Sequence, residues 1–261
     1  MATEILSRLS RLSIEIEPQV ARLTLSNPPV NVIDIPMMDE LASAISEIEA
    51  LSDISILVVS GGGKSFSAGV DVGAHAPGEV AGMLGKFHAV IRSLITTKKV
   101  TIARVEGHSL GGGAELAMAC DLVYTTNDAR WGFPEIQLGC FPPVAVSALS
   151  ALIGQKRAAE LILTGATISG KEAAETGLAT EAFEESQSRK AVDRTLEKLR
   201  GLSVSTLALT KKAMCAWDGV DFDKGLARAE KIYLEELMRT EDAREGIQAF
   251  LERRKPEWKG R

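Results

Sequence analysis

Two glutamates, Glu115 and Glu135, stand twenty positions apart, each beside turn-forming residues: Leu110-Gly111-Gly112-Gly113-Ala114-Glu115-Leu116 and Gly132-Phe133-Pro134-Glu135. Two carboxyl groups converging on one water cannot both ionise easily, so one pKa rises and the pair shares a proton. One member can then take a proton from water while the other gives one to carbon. Ser65-Phe66-Ser67-Ala68-Gly69-Val70-Asp71 supplies a second glycine-bearing turn after a strand. Both turns can aim backbone N–H groups outward, and the second opens a helix whose N-terminal dipole favours negative charge. A pair of such N–H groups forms an oxyanion hole for a thioester carbonyl on its way to an enolate. Singly, Glu115 reads as a first-turn carboxylate that complements a helix dipole, and Glu135 as a solvated loop residue. Set beside two donor loops, the chemical reading is the stronger.

Two other motifs fail. Gly61-Gly62-Gly63-Lys64-Ser65 resembles the end of a phosphate-binding loop, but the earlier glycine that G-x-x-x-x-G-K-[ST] requires falls on Val58. Gly107-His108-Ser109-Leu110-Gly111 matches the G-x-S-x-G nucleophile elbow in a strand-turn-helix context. A serine hydrolase of that order needs a later histidine, and His75, His88 and His108 all precede Ser109. His75 reads as a residue of the surface or of packing that could border the acyl pocket, and His88, within a helix, as structural. Trp131 and Phe133 could desolvate Glu135, although plain packing is the commoner role of loop aromatics. Cys120, Cys140 and Cys215 lack metal-ligand spacing and read as packed thiols, which makes a metal site unexpected.

The positioning elements follow from periodicity. LSIEIE and ARLTLS form two strands around Pro18-Gln19, and residues 36–50 a helix. ISILVVS, VTIARVEG and DLVYTT read as strands, and GGGAELAMACD as the start of a helix. Helices are expected near 80–94, 144–152 and 157–163, with Ser169 capping 170–176, while WGFPEIQLGCFPP reads as a turn-rich loop. Strands alternating with helices define an α/β protein. From about Val192 the pattern is nearly all helical, which suggests a core over residues 1–195 that carries the site and a helical region over 196–261. Apolar Ile232, Leu237, Ile247, Phe250 and Leu251 in that region point to self-association.

Of the 261 residues, 45% are apolar and 25% charged, an ordinary globular balance. A net charge of −5 argues against an electrostatic nucleic-acid binder. No apolar run approaches the length of a membrane span. Ser and Arg in MATEILSRLSRLSIEIE could suggest a transit peptide, but Glu4, Glu15 and Glu17 spoil that pattern, and a cytoplasmic protein is expected.

At these residues the chain resembles the crotonase (enoyl-CoA hydratase/isomerase) superfamily over nearly its whole length. FSAGVD resembles the first oxyanion loop, VEGHSLGGGAELAMACD the second, and FPEIQLG the segment bearing the second glutamate. LILTGATISGKEAAETGLATE and EDAREGIQAFLERRKP are similar to later family segments. The resemblance implies a crotonase-type spiral of strand-strand-helix units with a C-terminal helical oligomerisation region, assembling as trimers or hexamers. It makes the Val70 and Gly112 N–H groups the oxyanion hole. Ala68 and its neighbours Val70 and Asp71 would contact the CoA thioester, with Gly112 and Phe141 completing the substrate wall. Hydratases of the family keep both glutamates, so the pair implies addition of water to an unsaturated acyl-CoA, with no cofactor beyond the CoA that the substrate carries. Glu115 is assigned as base and Glu135 as acid, roles that the reverse reaction exchanges.

One stretch departs from the common pattern. Where typical hydratases continue with a glycine-rich loop, this chain reads Cys140-Phe141-Pro142-Pro143-Val144, a stiffer wall with a bulky aromatic. With Asn27-Pro28-Pro29 through Met38, it looks like the cyclohexa-1,5-diene-1-carbonyl-CoA hydratases. A general short- or medium-chain 2-enoyl-CoA hydratase is the nearer alternative. A non-catalytic RNA-binding or assembly homologue is the more distant one, and the acidic balance and intact glutamate pair weigh against it.

Overall fold

The structure, a computed structural model, describes residues 9–76, 78–214 and 222–259; Cys215 and Glu4 lie outside the described residues. The chain opens with a hairpin, β1 (Leu12–Glu17) and β2 (Val20–Leu25), paired antiparallel with Leu12 opposite Leu25. Gln19, with φ of 64°, turns the corner. After β2 the sheet becomes parallel: β3 (Ile56–Gly61), β4 (Val100–Val105), β6 (Leu122–Thr126) and β9 (Glu181–Phe183) add in turn, giving the order β1-β2-β3-β4-β6-β9.

The central parallel strand β3 is apolar from Ile56 to Val59 because both of its faces are covered. Side chains alternate between faces along a strand. Leu57, Val59, Ala103 and Val105 enter the main core beneath α1 (Ile35–Ala50) and α2 (Val80–Thr96). Ile56, Val58 and Ile102 point the other way, against Ala191, Val192 and Leu196 of α7 (Glu185–Arg200). Asp34 caps α1 by accepting the Met37 N–H at 2.9 Å.

A smaller sheet stands beside the first. β5 (His108–Leu110) pairs parallel with β7 (Arg130–Gly132), which pairs antiparallel with β8 (Thr167–Ser169). Three-residue strands carry too little alternation to be read from sequence. The segment expected as a turn-rich loop therefore contains β7 and a 3-10 turn, Pro134–Leu138. Helix α3 (Gly112–Met118) packs against β5, while α4 (Pro143–Ile153) and α5 (Gln155–Thr164) pack against each other and α5 against the 3-10 turn. Helix α6 (Gly170–Thr176) starts at Ser169 with the reciprocal Ser169–Glu172 capping box.

The expected division at 195/196 falls inside α7. The helical pattern there marks a change of element type, while packing against the sheet continues through Leu196. Helix α8 (Val204–Met214) follows, and α9 (Phe222–Glu235) and α10 (Glu241–Leu251) fold back over the core. Ile247, expected on a self-association face, is 6% exposed and turned inward, whereas Phe250 and Leu251 are each 53% exposed. Among the described residues, no helix is long and apolar enough to cross a membrane.

Candidate active site

Asn31 organises the first donor loop. Its side-chain amide donates to the carbonyls of Gly62, Ser65 and Phe66 at 2.9, 2.8 and 3.2 Å, and its own carbonyl accepts the Ser67 hydroxyl at 2.7 Å. The loop then runs alongside residues 30–33. Ala68 N–H donates to Val30 O, Ile33 N–H to Gly69 O and Asp71 N–H to Ile33 O, at 2.9–3.1 Å. Val70 lies between these bonded amides, and its N–H has no acceptor among the described residues.

The second donor loop meets the first directly. Gly69, at φ of 106°, passes so near that a Cβ there would lie 2.9 Å from Leu110 O and 3.6 Å from Gly112 N. A Cβ on Gly112 would lie 3.4 Å from Val70 N, which puts the Val70 and Gly112 amides on one spot. Gly112 begins α3, so its N–H lacks an intrahelical acceptor, and no other acceptor occurs among the described residues. Two N–H groups without acceptors among the described residues therefore lie side by side.

Glu115 lies in the first turn of α3 and is 3% exposed. Its Oε1 accepts the Ala145 N–H at 2.9 Å, at the start of α4. Burial pushes its carboxyl up to about 7, against the opposing pull of the Ala145 and Val144 amides. Glu135 sits on the 3-10 turn with Oε2 buried and without a partner among the described residues. Burial first, then the charge of Glu115, push its carboxyl up to about 8. Gly111 makes room for it: a Cβ at that residue, whose φ is 51°, would stand 2.4 Å from Glu135 Oε1. Both carboxyl groups are thus raised toward neutral pH, beside two N–H donors without acceptors among the described residues.

A cavity of about 90 Å³ joins these groups. Ala68, Val70, Gly112, Glu115, Glu135 and Phe141 all line it. Asp71 is not among its lining residues; its carboxylate accepts the Gly73 N–H at 3.0 Å and caps the turn Val72–His75. Trp131 and Phe133 are fully buried outside the cavity lining, and Trp131 Nε1 donates to Thr125 Oγ1 at 3.1 Å, so both are packing residues. Cys120 and Cys140 are free and buried, and Cys140 touches the cavity.

Both histidines expected to be mainly structural turn inward. His75 lines the cavity with Nδ1 3.1 Å from Asp71 O, and His88 lines it with no exposed surface. Tyr233 of α9 closes the same wall, its ring edge-on to Phe141 with centroids 5.1 Å apart. Nothing in the sequence near Tyr233 announces this, since only the folding back of α9 brings it to the glutamates. His88 did leave a signal: it interrupts the apolar stripe of α2 between Leu84 and Ile91.

The family model described as enoyl-CoA hydratase/isomerase matches residues 15–261. A cyclohexa-1,5-dienecarbonyl-CoA hydratase of Thauera aromatica is 32% identical over 95% of this chain and 96% of its own. A short-chain-enoyl-CoA hydratase of Clostridium acetobutylicum is 33% identical over 95% and 97%. The crystal structure of an enoyl-CoA hydratase/isomerase from Xanthobacter autotrophicus Py2 superposes with a TM-score of 0.84 at 28% identity, covering 93% of this chain and 96% of that one. With matching fold, full-length similarity and both carboxylates in place, the chain belongs to the enoyl-CoA hydratase/isomerase family and is an enoyl-CoA hydratase, a carbon–oxygen lyase.

Proposed function

We propose that the chain adds water reversibly to cyclohexa-1,5-diene-1-carbonyl-CoA, forming 6-hydroxycyclohex-1-ene-1-carbonyl-CoA. The observation that carries the hydratase chemistry is the buried carboxyl pair Glu115 and Glu135, which line one cavity with Val70 and Gly112, whose N–H groups have no acceptor among the described residues. In this reading the two N–H groups hold the thioester oxygen as negative charge gathers on it. Glu115 takes a proton from water as its oxygen bonds to the β-carbon. The displaced electron pair moves through the diene, and Glu135 delivers its proton to the far end. Every atom of the water enters the product, and the proton taken by Glu115 restores the pair. No cofactor is needed beyond the CoA of the substrate.

The cyclic acyl group is supported by the wall opposite. Phe141 and Tyr233 present two crossed aromatic rings, and Pro142-Pro143 stiffens the segment that carries Phe141. A small cavity closed by rings suits a flat six-membered acyl group better than a long chain. The similar hydratase of Thauera aromatica bears that substrate in its name. A short-chain 2-enoyl-CoA is the second reading, favoured by the equally similar Clostridium enzyme. A binding role without catalysis leaves two buried carboxyl groups without a use. The decisive comparison is kcat/KM for the cyclic dienoyl-CoA against crotonyl-CoA. A misfit in an apolar pocket gives about 10–200-fold discrimination, and at least that preference for the diene is expected. A preference for crotonyl-CoA rejects the cyclic substrate and leaves the hydratase chemistry standing.

The same reading includes a cytoplasmic homotrimer or hexamer without nucleic-acid or membrane partners. Leu163, Leu209, Met214, Phe250 and Trp258 expose apolar surface, at 70, 66, 71, 53 and 49%. Burying such side chains between copies removes them from water. Light scattering at micromolar concentration is expected to give three or six chains; a monomer contradicts the assembly.

A further inference from the structure

Two polar atoms in the cavity-lining residues are buried without partners among the described residues, Glu135 Oε2 and His88 Nε2, while the Tyr233 hydroxyl is engaged by the Cys140 thiol. The water to be added accounts for the first. The second has no place in hydration of a plain hydrocarbon acyl group. An unpaired buried polar group is costly, and native structures keep one mainly where a ligand or water completes it.

His88 is held in one state. Its Nδ1 lies 2.5 Å from Glu230 Oε1, and Arg92 Nη2 lies 3.8 Å from the same oxygen. A carboxylate only accepts, so the neutral imidazole carries its proton on Nδ1 and leaves the lone pair of Nε2 without a donor, in a residue that lines the cavity. Burial disfavours the charged imidazolium, the neighbouring carboxylate notwithstanding. Glu230 and Tyr233, three residues apart on α9, therefore serve one wall: the first orients His88 and the second adds a hydroxyl. Among the described residues His88 hydrogen-bonds to Glu230 and to neither Glu115 nor Glu135.

We propose that His88 Nε2 accepts a hydrogen bond from a hydroxyl on the acyl group, making the substrate class acyl-CoA thioesters that bear a hydroxyl away from the reacting double bond. This rests on the reading of the cavity as the acyl pocket, and it extends the acyl groups accepted beyond the unsubstituted diene to hydroxyl-bearing ones. Tyr233 gives the same region a donor as well as an acceptor.

Binding of saturated thioester pairs to the full chain, followed by calorimetry, tests this without relying on turnover. The pairs are butanoyl-CoA with 4-hydroxybutanoyl-CoA, hexanoyl-CoA with 6-hydroxyhexanoyl-CoA, and cyclohexanecarbonyl-CoA with its 3- and 4-hydroxy derivatives. At least one hydroxylated member is expected to bind about tenfold or more tightly than its parent, the scale of one buried hydrogen bond. His88→Leu should reduce that ratio to about threefold or less. Glu230→Ala, at a side chain 26% exposed and outside the core, should reduce it too by freeing the imidazole tautomer. Equal affinities in every pair, or a preference unchanged in both variants, overturn the proposal. Hydration of crotonyl-CoA and of the cyclic diene, measured in parallel, reports separately on the hydratase reading. A hydroxyl preference without hydration supports His88 recognition and removes only that reading.

Discussion

Glu115→Gln and Glu135→Gln are each expected to lower turnover by about 10²–10⁴ while acyl-CoA binding persists, the usual scale of general acid–base catalysis. Glutamine keeps the size of the side chain, and at position 115 its carbonyl still accepts the Ala145 amide. The double variant should lose less than the product of the two singles, because the two carboxyl groups are electrostatically linked and act as one unit. Activity should fall on the acid side as both groups become protonated, and on the alkaline side as both ionise, giving a bell-shaped profile about the values near 7 and 8. Stability carries the same signature. Both carboxyl groups are raised by folding, so the folded chain binds protons more tightly than the unfolded one. Their contribution is complete below the unfolded pKa of about 4.3 and is lost as pH rises through the folded values. Thermal unfolding at pH 5 and pH 9 should therefore show a smaller alkaline loss in Glu135→Gln than in the parent. Near-normal turnover in either folded single variant removes the assignment.

Glu115 and Glu135 were legible because their neighbours were. Each lies in a segment whose glycines or prolines define the backbone, so the carboxylate and its support appear together in the sequence. The long strands were equally plain, since β3 and β4 are rich in β-branched apolar residues and covered on both sides. The short strands β5, β7 and β8 were not, because three residues give no period and their pairing partners lie twenty to forty positions away. The wall formed by His88, Phe141 and Tyr233 was the least legible part. It arises where α2, the 140–143 segment and α9 meet, and the separation of Phe141 and Tyr233 along the chain hides their contact. Asn31 is a similar case: its side chain fixes three loop carbonyls more than thirty residues on, which no local pattern announces.

Gly112→Pro is expected to cost about 2.7–4 kcal/mol of transition-state stabilisation, or 10²–10³ in kcat, because it removes one oxyanion donor. Position 112 is the first residue of α3, where the ring constraint of proline is compatible with a helix and no intrahelical bond is lost. The substitution has a second consequence that must be separated from the first. Any Cβ at this position would lie 2.6 Å from Val70 Cγ2 and 3.2 Å from Phe87 Cζ, so both side chains must shift. Gly112→Ala imposes that crowding while keeping the N–H, and it is the proper reference. If the amide stabilises the developing oxyanion, turnover in Gly112→Pro should fall well below that in Gly112→Ala, with the larger part of the difference in kcat rather than KM. Equal turnover in the two variants, with helix α3 intact in both, means that crowding is the whole effect and that the Gly112 amide does not bind the thioester oxygen.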